Sequence, residues 1–152
     1  MEPLAIKAAL LAELLDHLEQ TIAETEQAIA SAKESRDNDS KCSAGDKYET
    51  GRAMMQIELE NNGRQLEKTR LAKQDLQQLN LQEPHTLVSQ GSLVYTNQGI
   101  YFISIGFGKL ELAEQPYYAI SLASPIGQAL KQAKVGDRIS FQGNVLEVLR
   151  IS

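Results

Sequence analysis

The residues best suited to chemistry in this chain are four acids in one polar stretch, residues 35–50. Asp37, Asp39, Asp46 and Glu49 stand there, while apolar residues repeat at helical spacing on both sides and almost vanish inside it. Carboxylate oxygens are hard ligands of the kind that Mg²⁺ prefers. If the flanking helices fold back on each other, the stretch forms the far tip of the pair and lies outside any core. We therefore predict that these acids meet another molecule.

Two helical runs must position this tip. In the first, no Pro or Gly interrupts residues 4–36, and the predicted apolar seam consists of Leu4, Ala8, Leu11, Leu15, Leu18, Ile22, Thr25, Ile29 and Ala32. The second run has a more polar seam, made of Met55, Leu59, Asn62, Leu66, Thr69, Lys73 and Leu76. Runs of matched length joined by a polar turn predict an antiparallel hairpin. Pairing with a second copy of the chain is the alternative, because two helices bury only a narrow stripe. Gly63 within the second run is expected to allow close packing or a bend.

After residue 83 the pattern changes to short runs rich in β-branched and aromatic residues. They predict strands over residues 87–88, 93–95, 100–105, 117–120, 138–141 and 145–149. Turns are predicted at 97–99, 107–109 and 135–137, with a hairpin turn at 143–144. Ser124 as N-cap and Pro125 in the first turn predict one short helix over 125–133. The chain is thus predicted to be α+β, with a helical hairpin over 1–82, a linker over 83–90 and an antiparallel sheet domain over 91–152.

Composition excludes several classes of function. Residues 1–83 carry 10 Lys/Arg against 16 Asp/Glu, and residues 84–152 carry 5 against 4, so the chain has no basic face for general nucleic-acid binding. The single cysteine, Cys42, rules out an internal disulfide and favours a reducing, cytoplasmic location. One Cys and two His make neither a zinc site nor a Cys/His catalytic pair. No apolar run approaches the roughly 18 residues of a membrane span. No Gly-rich phosphate loop, metal-spaced His/Cys cluster or nucleophile–base arrangement appears in the sequence.

The run over residues 120–130, followed by Val135, Gly136 and Asp137, resembles the C-terminal domain of bacterial Gre transcript-cleavage factors. In that family a Ser-Pro-Ile-Gly-x-Ala-Leu motif precedes Gly-Asp and a closing hairpin, and here the motif begins at Ser124. The order of parts is also similar over nearly the whole chain: a helical hairpin, a linker and a small FKBP-like sheet domain.

The resemblance implies that the partner is bacterial RNA polymerase. The sheet domain would sit at the rim of the secondary channel, with contacts around Ser121, Ser124, Pro125 and Ile126, and the hairpin would enter the channel. The chain would meet nucleic acid only through the polymerase complex, with no membrane involved, and it is expected to act as a monomer.

The resemblance also implies a use for the tip acids. Two-metal phosphodiester cleavage needs a second Mg²⁺, and Asp39 and Asp46 would hold it transiently, shared with the polymerase, so that no cofactor is tightly bound. Any cleavage would be performed by the polymerase active site, and the chain would be an accessory factor without enzymatic activity of its own. Family tips read Asp-Leu-x-Glu-Asn-Ala-Glu-Tyr, and alignment on Tyr48 places Lys41 and Ala44 where the two working acids belong. Because of this departure, a non-cleaving inhibitor or regulator of the polymerase is the alternative function. A prolyl isomerase is a third, opposed by the lack of Trp and the few aromatic residues.

Overall fold

The computed structural model describes residues 2–39, 46–83 and 85–152, with the side chains of residue 39 and residues 46–50 left out. Two long helices precede a six-stranded, mostly antiparallel sheet and a short helix, which confirms the α+β prediction. By its internal contacts the chain divides into two compact units. We call Asp16–Lys73 the hairpin unit, and Met1–Leu15 together with Gln74–Ser152 the sheet unit.

The two helices are α1, Pro3–Asp39, and α2, Asp46–Gln77. Ala, Leu, Glu, Gln, Lys and Arg fill most of their positions, and all six are good helix formers. Both helices continue into the polar stretch over residues 35–50, because its charged residues tolerate helical geometry even where apolar spacing stops. The stretch therefore contributes a turn of α1 and a turn of α2.

Contacts within the hairpin unit show that α1 and α2 run antiparallel. Glu19 Oε1 lies 3.2 Å from Lys73 Nζ. Glu26 Oε1 accepts a 2.9 Å hydrogen bond from Arg70, and Arg36 donates to the Gln56 side chain over 3.5 Å. Partner numbers on α2 fall as the numbers on α1 rise, which confirms the predicted hairpin. All three contacts are exposed or partly exposed, so each adds only about 0–1 kcal/mol to stability.

Burial follows the predicted seam over most of both helices. On α1, Leu18, Thr25 and Ala32 are buried and Leu15, Ile22 and Ile29 half-buried; on α2, Thr69 and Leu76 are buried and Met55, Leu59, Asn62, Leu66 and Lys73 half-buried. The first turns of α1 differ from prediction. Leu4 and Ala8 are exposed, whereas Ile6, Leu10 and Leu14 are buried. This segment belongs to the sheet unit, and its buried face is set by packing there rather than by the hairpin seam.

The sheet unit carries six strands in the order β3-β4-β2-β1-β6-β5. In chain order they are β1, Leu93–Thr96; β2, Gly99–Ile103; β3, Gly108–Leu112; β4, Gln115–Ile120; β5, Arg138–Phe141; and β6, Asn144–Ile151. Helix α3, Pro125–Leu130, lies between β4 and β5 in the chain. All neighbouring strands are antiparallel except β2 and β4, which pair in parallel.

Strand β3 was not predicted from the sequence: its first two residues fall in the predicted turn at 107–109, and residues 110–112 were assigned to no element. It pairs with β4 through a two-residue loop, Ala113 and Glu114, both with positive φ (52° and 66°). A loop of this kind normally carries Asn or Gly, so its sequence gives no turn signal. The β5–β6 loop is Gln142–Gly143 (φ 51° and 81°), one residue before the predicted turn.

Two other predicted elements differ in the structure. The short helix stops at Leu130 instead of continuing to residue 133. Residues 87–88 form no strand: Leu87 makes only an isolated bridge with Lys134. Val88 nevertheless exchanges backbone hydrogen bonds with Gln132 and Ala133, so the segment is tied to the end of the α3 region.

The core of the sheet unit lies on the sheet face that α3 covers. Its buried members are Val88, Val94, Ile103, Leu130, Ala133, Leu146 and Val148. Strand register places a second buried set on the opposite face, namely Leu93, Phe102, Leu110, Tyr117 and Ala119. The strands are therefore apolar on both faces, as expected for the centre of a layered domain.

Lys7 and His85 are titratable side chains of the sheet unit whose pKa values are lowered by burial. Lys7 is 3% exposed. His85 Nδ1 lies 2.6 Å from Ser89 Oγ, and its Nε2 is buried without a hydrogen-bond partner among the described residues. Desolvation lowers the pKa of His85, and the positive charge of Lys7 lowers it further, while Glu83 acts in the opposite direction. Desolvation also lowers the pKa of Lys7.

Lowering the pH is expected to destabilise the sheet unit through His85. Because its folded-state pKa lies below the ordinary 6.5, the unfolded chain binds the proton more readily, and stability falls as the pH drops below about 6.5. We expect His85→Gln to flatten this dependence in urea unfolding between about pH 7.5 and pH 5.5. His17→Gln, which changes an exposed histidine of α1, is the matched control. Equal pH dependence in the two variants would show that His85 is not the responsible group.

Replacement of Gly63 by Ala is expected to stabilise the hairpin unit. Gly63 is exposed, and a Cβ there would meet no atom within 4 Å, so the close packing considered for it is not observed. Ala restricts the unfolded chain and favours helix, which predicts a gain of about 0.5–1 kcal/mol in the free energy of unfolding. Urea unfolding followed by circular dichroism measures this gain. A loss of stability would mean that Gly63 serves a local geometry that Ala cannot adopt.

Candidate functional site

The start of α3 is built around Ser124. Its φ of −68° and ψ of 157° place it just outside the helix, where its Oγ accepts a hydrogen bond from Gly127 N at 3.0 Å. The same Oγ donates to the carbonyl of Ser121 over 2.7 Å. Pro125 follows at the first helical position, where its missing N–H costs nothing. The N-cap predicted from the sequence is confirmed.

Gly127 is required by a close approach between backbones. A Cβ at this position would lie 2.0 Å from the carbonyl oxygen of Ser121 and 2.9 Å from Leu122 Cα. A side chain at such distances would force the backbones apart, so this start of α3 strongly favours glycine at residue 127. The Ser-Pro-Ile-Gly run thus has a local physical cause, independent of any partner.

The structure brings the four predicted contact residues into one turn but exposes them unequally. Ser121 and Ser124 are half-buried and bonded to each other, and Pro125 is exposed. Ile126 is half-buried against the core. Ser121 also lines an open cleft of about 450 Å³ whose other walls are Asp75, Gln78, Leu79, Gln90, Ser104, Leu122 and Ala123. A contact of these residues with a partner stays a prediction.

A second cavity, of about 270 Å³, opens beside α3. We call it the aromatic cavity; its walls are Gln98, Tyr101, Tyr118, Ile126, Phe141, Gln142, Asn144 and Leu146. Tyr101 and Tyr118 are register partners on β2 and β4, with ring centroids 5.8 Å apart and ring planes tilted by 38°. Sequence reasoning missed this site, since its aromatic residues come from strands far apart in the chain. The sequence did predict the strands that carry these residues, but it did not predict which strands pair with each other.

The aromatic cavity is electrically neutral. None of its lining residues carries a charge at neutral pH. Burial raises the pKa of the Tyr101 hydroxyl, and the neighbouring Tyr118 raises it further, so Tyr101 stays protonated. Within the described part of the chain, the side-chain hydroxyls and amides of Tyr101, Tyr118, Gln98, Gln142 and Asn144 form no hydrogen bond. The cavity therefore offers unused donors beside apolar ring surfaces.

The four predicted tip acids lie at one end of the hairpin unit. Asp39 is the last residue of α1, Asp46 is the first residue of α2, and Glu49 follows three residues later in the same turn. Asp37 is 70% exposed in its side chain, with Oδ1 3.5 Å from Arg36 Nε. The side chains of the other three lie outside the described residues. Where side chains are described, no three His, Cys, Asp or Glu come together in a metal-binding group, and Mg²⁺ binding by Asp39 and Asp46 stays a prediction.

Helix electrostatics divides these acids into two pairs. Asp46 and Glu49 lie in the first turn of α2, where carboxylates are stabilised by the helix dipole, typically by about 0.3–1 kcal/mol. Asp37 and Asp39 lie in the last turn of α1, where the dipole opposes a negative charge. Helix stability therefore explains the first pair and does not explain the second.

Comparisons with known proteins leave the family of the chain open. No protein-family model matches it, and no curated protein matches it. Among solved structures, one similar chain is described as the structure of the transcription factor Gfh1, at 16% identity and a TM-score of 0.34, with 90% of this chain and 92% of that chain covered. None of the described helices is long and apolar enough to cross a membrane.

Substitutions at the start of α3 are expected to show how much the N-cap at Ser124 and the close backbone approach at Gly127 each contribute to stability. Ser124→Ala removes the N-cap and should lower the free energy of unfolding by about 1 kcal/mol. Gly127→Ala forces backbones apart and should cost at least about 2 kcal/mol. Urea unfolding of both variants measures the difference. If both variants lost the same small free energy of unfolding, the backbone at the start of α3 would be able to adjust to a Cβ, and the close approach would not be a constraint.

Proposed function

We propose that this chain is a Gre-like factor that binds bacterial RNA polymerase at its secondary channel and modulates elongation. In this proposal the sheet unit docks through the start of α3, and the end of the hairpin that carries Asp37, Asp39, Asp46 and Glu49 enters the channel. The observation that carries the proposal is the placement of these acids at the adjoining ends of two antiparallel helices. The resemblance of the Ser-Pro-Ile-Gly run supplies the partner.

The position of Asp37 and Asp39 supports a role outside the chain itself. Acids in the last turn of a helix oppose its dipole, and Asp37 is mostly exposed. A second molecule that supplies positive charge, such as a metal ion or a basic wall of the channel, would offset this cost. In the cleaving form of the proposal, Asp39 and Asp46 lend oxygen ligands to a Mg²⁺ that the polymerase also holds. The reaction is then the polymerase's own, and the chain is an accessory factor.

A non-cleaving regulator is the second candidate. It is favoured by the tip sequence, which carries Lys41 and Ala44 where the resemblance expects acids. In this form the hairpin occupies the channel and slows elongation, and its acids compete for the metal or face the channel wall.

Stalled elongation complexes with Mg²⁺ distinguish the two forms. A cleaving factor shortens the nascent RNA, and Asp39→Asn or Asp46→Asn should reduce that rate at least about tenfold, equivalent to about 1.4 kcal/mol of transition-state stabilisation. Glu58→Gln, an exposed acid in the middle of α2, is the matched control. A regulator leaves the RNA intact, slows its extension, and loses that effect when residues 36–49 are removed.

Binding is tested separately by retention on immobilised polymerase. The full chain and the chain lacking residues 36–49 should both be retained, because docking is assigned to the sheet unit. Absence of retention for the full chain would overturn both forms of the proposed function.

A further inference from the structure

We propose that an open cleft at the end of α2 binds the guanidinium group of an arginine presented by an extended segment of a partner protein. We call it the Asp75 cleft. All of its walls belong to the sheet unit, and only Ser121 is shared with the predicted polymerase contact, so the inference does not depend on the proposed function. The cleft has a volume of about 450 Å³, and its lining residues are Asp75, Gln78, Leu79, Gln90, Ser104, Ser121, Leu122 and Ala123.

The charge of the cleft favours a cation. Asp75 is the only lining residue that is charged at neutral pH, and it is exposed. None of the ion pairs among the described residues includes Asp75. The nearest basic residue along the chain, Lys73, has its Nζ 3.2 Å from Glu19 Oε1. The carboxylate of Asp75 is therefore available to a cation from outside the chain.

The end of α2 adds to this preference. Asp75 lies in the last turn of α2, and that turn contains no basic residue. A helix C-terminus carries a partial negative charge, equivalent to roughly half an elementary charge, which disfavours a carboxylate and favours a cation. The chain thus places two sources of negative potential at the cleft, and no lining residue supplies a positive charge to offset them.

The apolar walls match the stem of an arginine side chain. Leu79 and Leu122 are half-buried and Ala123 is exposed, so aliphatic surface is open to the cleft. Arginine carries methylene groups that pack on apolar surface while its charged head stays at a polar rim. A volume of about 450 Å³ lies within the range of ligand pockets, roughly 300–1,000 Å³, and accommodates one long side chain with its backbone.

Unused oxygen atoms in the cleft favour a guanidinium over an ammonium group. Gln90 donates its amide N–H to the Ser104 carbonyl over 3.1 Å, and this bond leaves Gln90 Oε1 as an acceptor. The side chains of Gln78 and Ser121 form no hydrogen bond within the described part of the chain, and both line the cleft. A guanidinium has donors in a planar fork, so that one pair suits a carboxylate and the others suit neutral oxygens. A lysine ammonium has all its donors on a single atom and cannot form the paired contact.

The same lining opposes other ligands. An anion such as a phosphate group needs a basic side chain, and none lines the cleft. A divalent cation needs several carboxylate or carbonyl oxygens, and no three His, Cys, Asp or Glu come together among the described side chains. An uncharged ligand would cover the Asp75 carboxylate without pairing it, at a cost in desolvation.

The test uses the full chain, labelled with ¹⁵N for NMR, and capped tripeptides in which arginine, citrulline or lysine stands between two alanines. Citrulline has nearly the shape of arginine but no charge. We expect the arginine peptide to cause saturable shifts of backbone amides at residues 75–79, 90, 104 and 121–123 within about 10 mM, a range suited to weak single-site contacts. The citrulline peptide should bind at least about fivefold more weakly, and the lysine peptide about threefold more weakly.

Substitution of Asp75 tests the assigned acceptor. Asp75→Asn removes the charge and keeps the size of the side chain, so it should weaken binding of the arginine peptide about fivefold and abolish the preference over citrulline. Glu67→Gln, an exposed acid of α2 that does not line the cleft, is the matched control and should leave binding unchanged. Gln78→Ala, at another exposed position, removes a neutral acceptor and should weaken binding about twofold.

The proposal is overturned if the arginine peptide causes no saturable shift or if its shifts map outside the cleft. Equal binding of the citrulline or lysine peptide, or unchanged binding by Asp75→Asn, would overturn it as well. Polymerase takes no part in these measurements, so this proposal and the proposed function can fail separately.

Discussion

The close approach of residue 127 to the carbonyl of Ser121 is the constraint on which the sheet unit depends. It brings the first turn of α3 against the segment that leaves β4. The Ser124 hydroxyl links the two, because it donates to the Ser121 carbonyl and accepts from Gly127 N. The position of α3 in turn decides which sheet face is covered, where Leu130 enters the core and how far Ile126 reaches toward the tyrosines. A backbone contact of one glycine therefore positions Ile126, one wall of a cavity whose other lining residues come from four strands and two loops.

The periodicity of apolar residues predicted the hairpin well because the packing within it is simple and repetitive. Each helix meets one neighbour along one stripe, so steps of three and four residues name the buried positions from Leu18 onward. The same reasoning failed at Leu4 and Ala8, where α1 belongs to another unit and a different face is buried. Spacing alone does not tell which partner a helix faces.

The sheet shows a second kind of limit. Runs of branched and aromatic residues were enough to find β1, β2 and β4, but β3 was hidden by a loop of Ala113 and Glu114 that adopts positive φ without glycine or asparagine. The parallel pairing of β2 with β4 brings Tyr101 beside Tyr118, and no local pattern encodes that register. For this reason the aromatic cavity could not be predicted from the sequence, although the strands that carry its aromatic residues were predicted. The N-cap at Ser124 was predictable because its signal lies within four residues.

The pairing of β1 with β6 has a consequence for the order in which the chain is made. β1 pairs with β2, which follows it after a two-residue loop. It also pairs with β6, Asn144–Ile151, which lies about fifty residues later in the chain. On the ribosome, β1 emerges long before β6 and presents an unpaired backbone edge until β6 has also emerged. Unpaired edges in nascent chains are sites of mispairing with other strands. The sheet unit can therefore complete its hydrogen-bonded ladder only after β6 has left the ribosome, whereas the helices of the hairpin unit have all their residues available much earlier.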